Sequence, residues 1–206
     1  MTLRLEAGSL QRFLAEAPGS PGAPGFVGWR KSLGEALAAS GLPVASDTES
    51  DTLATSDELG WSAHGALVLW AAYAEHPDRK RPLMEPEEWH KDPAVLASAA
   101  PGFACRYATL VRGVELWLPG DFDGVVEIPA PGGDVLDAGS TAVLARELDA
   151  LNAATWNASA AEIFGWRDTT DEASPRLDDL ARRGFSTFVR LVSRVRAKPL
   201  ALWLDY

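Results

Sequence analysis

The side chains most able to take up a proton or attack a carbon are three histidines, His64, His76 and His90, and one cysteine, Cys105. His64 lies in the segment Gly60-Trp61-Ser62-Ala63-His64-Gly65, which approaches a nucleophile elbow. An elbow needs glycine two places after the serine, because the strand-to-helix turn is too tight for a side chain. His64 occupies that place, and a polar segment precedes the motif where a buried strand should be. Ser62 therefore reads as a helix cap. His64 and His76 are about 120° apart around a helix of 3.6 residues per turn, so they do not share a face. There is no HExxH and no second cysteine, and no metal site is expected. His64 and Glu75 do share a helical face, and with Glu88 and His90 they could line one cleft. These four are the catalytic candidates for general acid–base work. The plainer reading makes His64 a hydrogen-bonded core histidine, and His76 and His90 surface residues.

Asp47, Glu49 and Asp51 alternate as in a calcium loop, but the turn glycine and the distal glutamate are missing. With Asp57 and Glu58 they read as a solvated acidic loop over residues 45–58. Asp121 and Asp123 flank Phe122, where aspartate favours turns through local hydrogen bonds. Arg183, Arg190 and Arg194 form a basic stripe on the last helix, read as a solvated face rather than a phosphate site. Neither a P-loop nor a GxGxxG glycine pattern occurs, so no nucleotide cofactor is expected, nor any other. Cys105 reads as an inert buried thiol.

The elements that must position these residues are legible from periodicity. A strand spans residues 2–6, and Ser9 caps a short helix carrying Leu10, Phe13 and Leu14. Residues 18–25, PGSPGAPG, form a turn-rich loop. A helix runs over 27–40 with Trp29, Leu33 and Leu37 on one face. Residues 60–75 are apolar nearly all round, as in a central core helix. Pro86 and Pro93 start two short helices, near 86–91 and 93–100. Residues 105–118 alternate apolar and polar, and with 125–128 they predict a β-hairpin closed at Gly120–Gly124. A third strand lies near Val135-Leu136. Ser140 caps a helix carrying Leu144, Leu148 and Leu151. After a polar connection with a short helical piece at Ile163-Phe164, a continuous stripe from Leu177 to Val195 predicts a long helix. Residues 200–206 form a last strand, placed in the same sheet as 105–129. Leu67, Trp70, Phe188, Leu191 and Leu204 are expected in the core. Helices, strands and then helix again, without regular βαβ alternation, point to an α+β fold. It comprises a small antiparallel or mixed sheet packed against several helices, as one domain over 1–206.

Composition bounds the function. A hydrophobic fraction of 47% is enough for a core and argues against general disorder. The 19 basic and 29 acidic residues give a formal charge of −10, which repels phosphate backbones and anionic lipid. Neither nucleic acid nor a membrane is therefore expected as a partner. A single cysteine and the lack of a signal-like apolar run read as cytoplasmic. Absence of catalytic motifs favours a non-enzymatic module that binds another protein. One concrete form is an immunity-type inhibitor of a basic partner, with Asp47, Glu49, Asp51, Asp57 and Glu58 as the contact. The alternative is a small hydrolase or transferase built on His64 and Glu75.

Overall fold

The computed structural model describes residues 2–16, 25–42, 55–83, 88–168, 176–196, 198 and 200–206. The chain folds as a six-stranded mixed sheet covered by helices on both faces. The strands are β1 (Arg4–Gly8), β2 (Thr55–Glu58), β3 (Leu116–Leu118), β4 (Val126–Pro129), β5 (Val135–Ser140) and β6 (Ala201–Asp205). Their order is β2-β1-β6-β3-β5-β4. All neighbours are antiparallel except β3 and β5, which run parallel. The last strand in sequence thus fills the middle of the sheet.

One face carries α1 (Leu10–Glu16) and α2 (Phe26–Ala39). Phe13, Trp29, Leu33 and Leu37 pack there on Leu116, Ile128, Ala201 and Trp203. Ser9 accepts from the Arg12 amide at the start of α1, as its capping role predicts. Trp29 satisfies its indole N–H on the Pro129 carbonyl at 2.8 Å, tying α2 to the outer strand β4.

The other face carries the larger core. It packs Leu5, Leu202 and Trp117 against α3 (Trp61–Glu75), α4 (Pro93–Ala99), α5 (Ala108–Val111), α6 (Thr141–Ala154), α7 (Ala160–Gly165) and α8 (Leu177–Arg196). The uniformly apolar α3 lies inside it, with Leu67 and Trp70 buried. Phe188 and Leu191 of α8 are buried against it, whereas Leu204 is only half-buried. Ser140 caps α6 by accepting from the Ala142 and Val143 amides. Among the described residues, no helix is long and apolar enough to cross a membrane.

The expected hairpin of 105–118 with 125–128 is not formed. Residues 108–111 make a helical turn, and only Leu116–Leu118 is strand. The hairpin is instead β4 with β5, closed through Ala130–Asp134, and β3 joins β5 from the other side. The apolar positions Tyr107, Leu110 and Val111 serve a helix turn, while Leu116 and Leu118 serve a strand. What decides for the helix is Glu147 of α6. Its buried carboxylate accepts from the Thr109 amide at 3.0 Å and the Thr109 hydroxyl at 2.7 Å, satisfying the open N-terminus of α5. The segment near 86–91 is a one-turn 3₁₀ helix over Trp89–Lys91 in its described part. Gly60, with no side-chain cap bond, starts α3, and Ser62 does not cap it.

Candidate functional site

Of the acidic loop over 45–58, Asp47, Glu49 and Asp51 lie outside the described residues. Asp57 and Glu58 do not belong to a loop: they sit on β2, paired with Leu5 and Arg4 of β1. Asp57 is buried and bridges Arg167 at 3.0 Å and Arg190 at 3.4 Å. Two guanidiniums compensate its desolvation, so this carboxylate fastens the sheet edge to α8. Asp121 and Asp123 are held by Arg146, with Asp121 accepting a two-pronged bond at 2.8 and 3.0 Å.

The four catalytic candidates fall in different places. His64 and His90 line one cleft. Glu75 lies eleven residues along α3 from His64, about 16 Å at 1.5 Å per residue. There it accepts from the Arg106 amide at 2.6 Å. Glu88 forms an ion pair with Lys91. His64 and Glu75 are thus not brought together. The cleft measures about 500 Å³ and lies between α3, α4, α5 and the β4–β5 hairpin. His64 meets the edge of Trp89 at 5.7 Å and stacks near Phe188 at 6.4 Å. Its Nδ1 is buried without a hydrogen-bond partner, and burial pulls its pKa down to about 4. The imidazole is therefore neutral at pH 7. Glu127 and Asp137 enter the same cleft from β4 and β5. Burial first, and then the Glu127 charge, raise the Asp137 pKa from its ordinary value.

A second concavity, about 290 Å³, opens on the α1 side of the sheet. It exists because β3 is short. Glu115 still bridges the sheet, accepting from the Leu204 amide and donating its own amide to Asp137. Ahead of it the chain departs through Gly113, whose positive φ of 71° turns it out of strand geometry. The end of β6 and the β4–β5 turn are left facing one another. Phe13, Leu116 and Trp203 line the resulting crevice, together with Glu115, Asp134 and Asp205. Tyr206 donates its hydroxyl to Glu115 at 3.3 Å; burial first, and then the Glu115 charge, raise its pKa. None of the three carboxylates forms a salt bridge with a described residue. At the rim, Val135 is 69% exposed, and Trp61 and Tyr206 stand 5.3 Å apart with nearly half of each ring in solvent.

Sequence reading did not find the crevice. Its acids come from three separate segments, and only the early departure of β3 brings them together. Cys105 is half-buried and its thiol is pushed up to about 11 by burial, so it is not poised as a nucleophile. Among the described residues, no cluster of three or more histidine, cysteine, aspartate or glutamate residues could hold a metal ion. No family model matches the chain, and neither a curated protein nor a solved structure matches it.

Proposed function

We propose that this chain is a non-enzymatic protein-binding module that takes a basic segment of a partner protein, in the manner of an immunity-type inhibitor. The observation that carries this reading is the crevice beside β6. Three carboxylates that form no salt bridge with a described residue surround an aromatic floor, and an exposed tryptophan–tyrosine pair and a valine mark its rim. Acidic groups attract a lysine- or arginine-rich segment over the Debye length and raise the encounter rate. Aromatic anchors then supply the area that holds it. The net charge of −10 adds to the same attraction.

The test is capture from the native host followed by binding kinetics at two salt concentrations. The wild type is compared with the triple variant Glu115→Gln, Asp134→Asn, Asp205→Asn. A basic partner whose association slows in the triple variant, most at low salt, supports the reading. Its stability should barely change, because exposed charges contribute little. An acidic partner, or an unchanged association rate, overturns it. The triple variant Asp47→Asn, Glu49→Gln, Asp51→Asn assigns any remaining steering to that segment. The hydrolase or transferase reading would gain from small-molecule turnover that is lost in His64→Ala and kept in the crevice variant.

A further inference from the structure

The cleft on the opposite face contains a charge arrangement that the protein-binding reading leaves unused. Glu127 and Asp137 are direct cross-strand partners in the β4–β5 hairpin. Like charges placed opposite one another in an antiparallel pair destabilise it. Neither carboxylate has a hydrogen bond or salt bridge with a described residue. Arg112 lines the same cleft and keeps its charge, but its Nη2 donates to the Phe103 carbonyl at 2.7 Å and it forms no salt bridge with either carboxylate. His64 is neutral and adds no charge. Its imidazole makes no hydrogen bond among the described residues, and Nδ1 is buried. Apart from His90, the remaining walls are apolar, among them Val68, Trp89, Val95 and Leu110. A volume of about 500 Å³ lies within the ordinary range for small-molecule sites, which combine apolar walls with a few convergent polar groups.

We propose that this cleft binds a small organic amine, its ammonium between Glu127 and Asp137 and its apolar body against Val68, Val95 and the Trp89 ring. The ammonium removes the repulsion across the hairpin, and the unpartnered imidazole of His64 offers a further hydrogen bond to a polar substituent. A metal ion is a poorer fit. Among the described residues, no group of three or more histidine, cysteine, aspartate or glutamate residues could hold a metal ion, and Arg112 places a positive charge in the same cleft. An anionic ligand would meet two carboxylates against the single guanidinium of Arg112, which is already bonded to the Phe103 carbonyl.

The experiment measures binding of 2-phenylethylamine, hexylamine, 2-phenylethanol and 3-phenylpropionate by calorimetry and ligand-observed NMR. Four proteins are compared: the wild type, the double variant Glu127→Gln, Asp137→Asn, the cleft-filling Ala99→Phe, and the crevice triple variant. Circular dichroism checks that each is folded. At least one amine should bind the wild type tenfold or more tightly than the alcohol, with the carboxylate weakest. That preference should vanish in the double variant. Ala99→Phe should weaken the amine, and the crevice variant should leave it unchanged. The proposal is overturned if neither amine binds at millimolar concentration. It is also overturned if amine and alcohol bind equally, or if the preference survives the double substitution. Loss of amine binding in the crevice variant would place the site on the other face and likewise overturn it.

Discussion

The backbone of Ala63 occupies the space that a side chain on Gly184 would need. A Cβ on Gly184 would fall inside contact distance of the Ala63 carbonyl oxygen, 3.1 Å from its carbon and 3.3 Å from Leu67 Cβ. Helices α3 and α8 therefore meet backbone to backbone at this point, and backbone cannot yield as the end of a side chain can.

Gly184→Ala should lose about 1–3 kcal/mol, the usual cost of overpacking. That outweighs the gain of roughly 1 kcal/mol in helix propensity from replacing glycine. Gly28 in α2 has nothing within 4 Å of its would-be Cβ. Gly28→Ala should thus be neutral or stabilising by about 0.5–1 kcal/mol. Urea unfolding of both variants checks the contrast, and equal midpoints would contradict the α3–α8 contact.

Stability should respond to pH through Glu147. Burial raises its pKa to about 7, against the lowering effect of its bonds to Thr109. A raised acid holds its proton more tightly when folded. Its contribution is full below the unfolded value near 4.5 and is lost as pH rises towards 7, by on the order of 3 kcal/mol. His64 acts in the opposite sense. Its lowered pKa, about 4, makes its contribution present above about 6.5 and lost as pH falls from there to 4. Between pH 4.5 and 6.5 the two partly cancel. Urea unfolding of Glu147→Gln at pH 5, 6 and 8 should unmask the His64 slope, with stability rising with pH more steeply than in the wild type. A profile identical to wild type would exclude Glu147 as the titrating group.

Asp57→Asn should cost about 1–3 kcal/mol, because it leaves Arg167 and Arg190 facing a buried neutral amide. The partial exposure of both arginines keeps the loss below that of a fully buried pair. A loss below about 0.5 kcal/mol in denaturant unfolding would mean that the two ion pairs do not hold β2 to the rest of the fold.

Those variants also mark where sequence reading succeeds and where it stops. The stripe from Leu177 to Val195 is visible because 3.6-residue periodicity over nineteen residues has no other reading. Ser140 shows itself because a cap is a local device. The turn of α5 is invisible, because the group that satisfies its amides is Glu147, on another helix. Asp57 looks like a loop acid until Arg167 and Arg190 arrive from far along the chain. Spacing on one helix groups His64 with Glu75, which lies at the far end of α3. The carboxylates that share its cleft, Glu127 and Asp137, come from a hairpin whose strand boundaries local alternation misplaced.

The central position of β6 has a consequence for biosynthesis. A ribosome releases β1 and β2 early and the β3–β5–β4 group later, but these are two separate ribbons. Each keeps an open inner edge of unpaired amides and carbonyls until residues 201–205 emerge and pair with both. Such edges are templates for association with other chains. The nascent protein therefore carries two unjoined ribbons from the completion of β5 at Ser140 until β6 emerges, and a chaperone that covers strand edges would have its greatest effect during that interval. The few residues that join the two ribbons set the moment at which the chain becomes safe from its neighbours on the polysome.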